Sequence, residues 1–286
     1  MTCGFNSPAT PIERVKGLDS DTFVRDYLEP GRPVVVCGAM DDWPATGSWT
    51  FDYLRARCAD HILPIRYFKE GARDGLDFSV KNMRLSEYFD IICTDHPERD
   101  RYYIATELVA EVFPEVASEI GRPSFVPVNE RTRELDHPTV WAGRDNFTQL
   151  HYHPGSEVIS SQVLGSKHFA LFPPSETRYM YSNPWWVKRF NWSRVNAFRY
   201  EEMRDSYPDL DKARRFECRL QPGEQIYIPP YWWHSVDSAG PAILITSFWK
   251  SDKRMPLRSA QGFGTAFWPW MRKLKTLVLR RSHTHA

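Results

Sequence analysis

The sequence predicts a mainly β fold, a sandwich or barrel of short strands with helical decoration, and three observations carry that expectation. From about residue 100 onward, β-type runs recur at Tyr102-Tyr103-Ile104, Thr139-Val140-Trp141, Val158 to Leu164, His168 to Phe172, Gln225 to Ile228 and Ala242 to Trp249. Glycine, proline and polar turns separate these runs, the pattern of many short strands closing on one another. The chain has 286 residues, 42% of them hydrophobic and 14% aromatic, enough to bury a substantial core as one domain.

Ahead of the strands, LDSDTFVRDYL offers Asp19, Ser20 or Asp21 as a helix cap, with Phe23, Val24, Tyr27 and Leu28 at helical spacing. Pro30-Gly31 stops that helix. Val34, Val35 and Val36, β-branched and bracketed by proline and glycine, predict a short buried strand. A second helix starts at the Thr50 cap (TFDYLRARC) and a third covers LSEYFDIIC, residues 85–93. SEVISSQVLGSKHFALFPP predicts a hairpin: Val158 to Val163, a turn through Gly165-Ser166, and a return strand ending at Pro173-Pro174. Met180 to Arg215 is aromatic and charged without a clear period, and is expected to be an insertion packed over one end of the barrel. The expected organisation is residues 1–100 as helices and strands packed on the barrel, 101–252 as the barrel, and 253–286 as a C-terminal helix.

Lysine plus arginine (37) nearly balances aspartate plus glutamate (36), so no global field draws the chain to nucleic acid, and none is expected as a partner. Five scattered cysteines, Cys3, Cys37, Cys58, Cys93 and Cys218, include no CxxC spacing. That count and spacing argue against a disulfide framework or a structural zinc site, and a cytoplasmic compartment is expected. The start MTCGFNSPATPIERVKG has no basic region followed by an apolar run, and no integral membrane segment is expected.

The chemistry centres on NFTQLHYHPGSE, residues 146–157. In an extended segment residues i and i+2 share a face, so His151 and His153 can converge on one ion while Tyr152 faces away. Nine histidines in such a chain give roughly 0.3 chance pairs at this spacing, so the pair needs context. The terminal SHTHA, with His283 and His285, shows how easily such a pair arises. Context comes from His234 in PGEQIYIPPYWWHSV, placed after a strand and an aromatic turn to supply a third ligand from a remote strand. Taken alone, His234 reads equally as a hydrogen-bonded histidine among Tyr231, Trp232 and Trp233. Lys167 opens the apolar run FALFPP. It either reaches solvent from the barrel end or points inward toward an anion, where the Thr148 hydroxyl could add a hydrogen bond.

RPVVVCGAMDDWPA, YYIATEL, VWAGRDNFTQLHYH, SSQVLGSKHFALFPP, LQPGEQIYIPPYWWHSV and AILITSFW together resemble, in order, the successive blocks of the cupin-like JmjC hydroxylases. The resemblance covers roughly residues 20 to 250 and is far more specific than any single motif. It implies a double-stranded β-helix (jelly-roll) that binds iron(II) and 2-oxoglutarate and uses dioxygen to hydroxylate a peptide, a protein side chain or a small metabolite. His151, His234, Lys167 and Thr148 match the family's metal and cosubstrate positions, and Tyr103 matches a tyrosine on the cosubstrate carboxylate. Ser247 stands where the family often has an asparagine. His153 departs from the pattern, since the family has aspartate there. The site is then a three-histidine oxygenase, an oxygenase that recruits Glu157 as a fourth ligand, or a silent binding module. FWPWMRKLKTLVLRR sets Trp270, Leu274 and Leu277 at i, i+4 and i+7 among basic residues, a pattern that can lie on a membrane surface or dimerise. So short an apolar face gives marginal membrane affinity, and by the same resemblance the helix is expected to join a homodimer.

Overall fold

The computed structural model describes residues 4–69, 78–184 and 186–252. Its strands are β1 (Thr10–Pro11), β2 (Arg14–Lys16), β3 (Val34–Cys37), β4 (Ile62–Phe68), β5 (Phe78–Arg84), β6 (Tyr102–Leu108) and β7 (Thr139–Arg144). They continue with β8 (Phe147–His151), β9 (Ser156–Leu164), β10 (Lys167–Phe172), β11 (Phe216–Leu220), β12 (Gln225–Ile228), β13 (Trp233–Ser238) and β14 (Pro241–Lys250). They form a five-stranded sheet in the order β1-β11-β10-β13-β8 and a nine-stranded sheet in the order β2-β3-β12-β9-β14-β7-β6-β4-β5. From β7 onward the chain passes back and forth between the two sheets, and the result is a jelly-roll.

That winding corrects the expected hairpin. β9 and β10 do not pair with each other: β9 lies between β12 and β14, and β10 lies between β11 and β13 in the other sheet. Both strands are buried almost end to end, so neither shows the alternation that would tell a hairpin from a crossover. The crossover turns at Gly165, whose φ is +66° and whose added Cβ would lie 2.3 Å from the Pro241 carbonyl oxygen. Gly165→Ala is therefore expected to cost about 1–3 kcal/mol. A urea midpoint equal to that of the unsubstituted protein would contradict it.

Helices and loops cover the outer faces. The helix Leu85–Cys93 buries Leu85, Tyr88, Phe89 and Ile92, one apolar stripe, against Ile104, Val140 and Ile245 of the nine-stranded sheet. Each such fully buried side chain contributes about 1.5–3 kcal/mol. The Tyr88 hydroxyl donates to the Ala142 carbonyl at 2.6 Å, which satisfies its one buried polar atom. The helix Phe51–Cys58 is capped by Thr50, whose hydroxyl accepts from the Tyr53 amide. Asp19 caps Ser20–Phe23 in the same way, and the chain then widens into a π turn over Val24–Leu28 before Gly31 ends it at φ +69°. The segment 180–215 packs on the outer face of the five-stranded sheet, where Met180, Val195, Tyr200 and Leu210 meet Leu150, Tyr152, Phe172 and Trp233.

Between the sheets, Leu171 and Ile226 pack with Val158, Phe169, Ile228 and Leu244, and the last four also line a pocket that opens from the interior. No helix among the described residues is long and apolar enough to cross a membrane. Cys37, Cys58, Cys93 and Cys218 are free thiols. The expected C-terminal helix, with Trp270, Leu274 and Leu277, lies outside the described residues.

Candidate metal centre

Three histidines meet at the open end of the interior. β13 pairs antiparallel with β8, and His234 lies directly opposite His151. The strand alternation carries through Tyr152, which is fully buried on the outer face against Trp233, so His153 returns inward. The turn is pinned on both sides: the Tyr152 amide donates to Asn191 at 3.1 Å, and the His153 carbonyl accepts from the Tyr231 amide at 3.2 Å. Ring centroids are 4.3 Å apart for His151 and His234, 4.8 Å for His151 and His153, and 5.0 Å for His153 and His234. One ligand atom from each lies within 4.8 Å of the other two, close enough for a single ion.

Hydrogen bonding fixes which nitrogen is free. His151 Nδ1 lies 2.7 Å from the Gln149 carbonyl and His234 Nδ1 lies 3.0 Å from the Trp232 carbonyl. A carbonyl only accepts, so both Nδ1 atoms carry the proton and both Nε2 lone pairs are left for a ligand. Burial pushes His151 down to about 4, against the opposing hydrogen bond to Gln149, and His234 down to about 3 with His151 adding to the effect. His153 is held well below its usual value by burial and then by the other two rings. All three are neutral imidazoles at physiological pH, the form that binds metal.

Tyr103, Thr148 and Lys167, the residues expected to meet a cosubstrate, line the same pocket. Its walls include Tyr103, Thr148, Lys167, Trp141, Phe169 and Phe248 besides the histidines. Thr148 and His151 are three apart and would face opposite sides of a regular strand. A bulge resolves this: His234 pairs with His151 but Val236 pairs with Thr148, so β8 carries one extra residue and both side chains turn inward. Lys167 is 2% exposed, and its ammonium sits 5.6 Å from the Tyr103 ring centroid. Burial pushes it down to about 8, with Asp237 opposing. Among the described residues no carboxylate lies within ion-pair distance of it, so the ammonium is buried without a direct anion. Tyr103 is raised to about 12 by burial, against hydrogen bonding from Thr148, and stays a phenol donor.

Two expected site residues lie elsewhere. Glu157 points out of the pocket, because its neighbour Val158 points in. Its carboxylate accepts from the Tyr227 hydroxyl at 2.5 Å and the Ser251 hydroxyl at 2.5 Å, so it does not join the histidines. Ser247 likewise sits on the far face of β14, while Thr246 and Phe248 line the pocket and Thr246 meets the Ser160 hydroxyl at 3.2 Å. Two aromatic neighbours escaped the sequence reading. Trp192 stacks on His151 at 5.0 Å and 24°, and Phe248 sets its ring near-perpendicular to His153 at 5.2 Å. The only signal for Trp192 was the aromatic density of its segment.

A jelly-roll with three inward neutral histidines at its open end is a cupin-type fold with a cluster able to hold one metal ion. Residues 20–255 match the cupin-like domain, and the chain belongs to that family. It is 28% identical over 246 residues to lysine-specific demethylase JMJ30 of Arabidopsis thaliana, covering 84% of this chain and 55% of that protein. Against lysine-specific demethylase 8 of Danio rerio it is 25% identical over 246 residues, 85% of this chain and 59% of that protein. It is also 26% identical over 262 residues to human tRNA wybutosine-synthesizing protein 5, covering 84% of this chain and 78% of that protein. The chain thus spans little more than half the length of the first two relatives. The JmjC cofactors, iron(II) and 2-oxoglutarate, fit the residues present: three free imidazole nitrogens for the ion, and a buried ammonium awaiting a carboxylate.

Proposed function

We propose that the protein is an iron(II)- and 2-oxoglutarate-dependent oxygenase that hydroxylates a carbon of a peptide, a protein side chain or a small metabolite. The observation that carries this is Lys167. A buried ammonium with no direct anion is costly to keep charged, and a dicarboxylate whose other end reaches the metal supplies the missing partner. A histidine-only metal site that needs no cosubstrate has no use for that cation.

In this reading Lys167 holds the distal carboxylate, with the Thr148 hydroxyl and the Tyr103 phenol as further donors. His151, His153 and His234 hold the ion through their unprotonated ring nitrogens. Iron(II) with 2-oxoglutarate supplies oxidative decarboxylation and the activation of dioxygen. The chain's own contribution is placement and dryness: Trp141, Phe169 and Phe248 keep water from the reacting end and fix the direction from which substrate arrives.

Oxygen consumption with and without 2-oxoglutarate tests the proposal. Uptake that requires 2-oxoglutarate supports it. Uptake without 2-oxoglutarate would point to a three-histidine dioxygenase, and none in either case, with iron bound, to a silent binding module. Lys167→Ala is expected to weaken 2-oxoglutarate binding by about 100-fold or more while leaving iron affinity nearly unchanged, since it strands a carboxylate in a buried site.

Acidity gives a further check. The cosubstrate carboxylate favours charged Lys167, which in the free protein titrates near 8. Affinity is then level below that pH and falls as pH rises through it, approaching about tenfold per pH unit. Calorimetry from pH 7 to 9 reads this. A flat profile in the unsubstituted protein, or a slope that persists in Lys167→Ala, would contradict the assignment.

A further inference from the structure

The nine-stranded sheet extends past the pocket as β6, β4 and β5, and its two faces differ. On one face Leu63 and Ile65 of β4 are buried beneath the helix Leu85–Cys93. The other face carries Ile62, Arg66 and Phe68 of β4 with Val80 and Phe78 of β5. Arg66 pairs in register with Tyr103 on one side and with Val80 on the other, so all three side chains share a face. Tyr103 is a wall of the metal pocket. The same surface therefore runs from the pocket out across β4 and β5.

That surface is open and carries apolar side chains beside Asn82 and Arg84. Ile62 is 63% exposed and Val80 56% exposed, and Phe68 and Phe78 meet edge to face at 5.9 Å between them. In its middle the Arg66 guanidinium lies 5.0 Å from the Phe78 ring centroid. One Nη atom donates to the Ala105 carbonyl at 2.8 Å and to the Thr106 hydroxyl at 2.7 Å. Those two bonds tie the guanidinium to the β-bulge that interrupts β6 between Ala105 and Glu107, where Thr106 takes φ +70°. Among the described residues no carboxylate lies within ion-pair distance of Arg66. Burial lowers its pKa, and Tyr103 and Glu107 offset this only through longer-range attraction. A half-buried, orientated guanidinium with no direct anion among the described residues, set beside exposed apolar side chains, is a recognition element for a carboxylate.

We propose that this face of β4 and β5 is the platform for the primary substrate, and that it receives an extended polypeptide which sets an acidic side chain against Arg66 and apolar side chains on Ile62 and Val80. The proposal rests on the oxygenase reading and narrows its substrate class. An extended chain suits the surface because side chains on one of its faces recur at about 7 Å, the spacing that successive same-face positions of the sheet also offer. A nucleic acid fits less well. It needs several cations along its backbone, and the other arginine on this face, Arg84, is already paired with Asp60 at 2.7 Å.

The test is a positional-scanning library of ten-residue peptides, selected on the full-length protein loaded anaerobically with iron(II) and 2-oxoglutarate. Aspartate or glutamate is expected to be enriched at one position by about two- to fivefold over glutamine, the scale of one partly exposed ion pair. Val80→Glu places a carboxylate opposite Arg66 at an exposed site and leaves the arginine's own hydrogen bonds intact, so the acidic preference should vanish. Arg66→Glu should turn the preference toward lysine and arginine. The absence of any acidic preference, or a preference that survives Val80→Glu, would overturn the proposal. So would displacement of the bound peptides by bulk tRNA, or a fall in solution mass in Val80→Glu, which would make the face a contact between copies. Calorimetry of 2-oxoglutarate binding is run in parallel: failure there strikes the cosubstrate reading, whatever the peptides do.

Discussion

Replacing His234 by alanine is expected to remove stoichiometric iron binding, with affinity falling by about 100-fold or more, and His151→Ala should do the same. Changing residues that merely orient a metal ligand already costs about 10–100-fold in affinity, and here the ligand itself is lost. The two variants remove facing members of one cross-strand pair, so each leaves two donors where three converge. Neither histidine is expected to matter as a charge, since burial holds both neutral at physiological pH. His168→Ala is the control. His168 belongs to the same sheet but bonds Glu217 at 3.0 Å and does not line the pocket, so its loss should leave iron binding intact. Iron occupancy, measured by metal analysis beside a thermal melt, decides the matter. Full occupancy in folded His151→Ala and His234→Ala proteins would remove the metal from this position.

Local signals in the sequence reached as far as local physics determines structure. Thr50 and Asp19 announced their helices because an N-cap is decided within three residues, and LSEYFDIIC carried its own apolar stripe. The histidine cluster was legible because alternation continues from His151 through Tyr152 to His153. What escaped was set by partners far along the chain. β14 is buried over Ala242 to Ser247 without a break, so nothing local says that Thr246 and not Ser247 faces inward; its pairing with Ser160 decides. Glu157 resembled a fourth ligand by proximity in sequence, but its parity on β9 sends it outward to Tyr227, seventy positions away. The misread hairpin has the same origin, since two buried strands in sequence do not reveal that they belong to different sheets. Nothing local distinguishes Arg66 from any other surface arginine; the register with Tyr103 is what places it beside the pocket.

His153→Asp is expected to tighten iron binding and to raise substrate-independent 2-oxoglutarate turnover by about tenfold, a barrier change of about 1.4 kcal/mol. The native centre is unusual in charge. Three neutral imidazoles leave a bound divalent ion with its full charge, where a carboxylate in the third position would cancel one unit and favour electron donation to dioxygen. Among the described residues no carboxylate joins the three histidines, and Glu157 is committed to Tyr227 and Ser251 on the other side of β9. The substitution is also well placed. The His153 backbone is held by the Tyr231 amide whatever the side chain, and His153 is partly exposed, so the shorter aspartate disturbs little beyond the edge contact with Phe248. Higher turnover would mean that the native histidine restrains a competent oxygenase, and slower reaction with dioxygen then belongs to the protein's design. Abolished turnover from an active native protein would mean instead that the extra positive charge is matched to its own reaction, for example by drawing an anionic group of the substrate to the ion. If both proteins hold iron and 2-oxoglutarate yet consume neither 2-oxoglutarate nor dioxygen, the oxygenase reading falls. Lys167, Thr148 and Tyr103 would then serve a pocket that binds a carboxylate without transforming it.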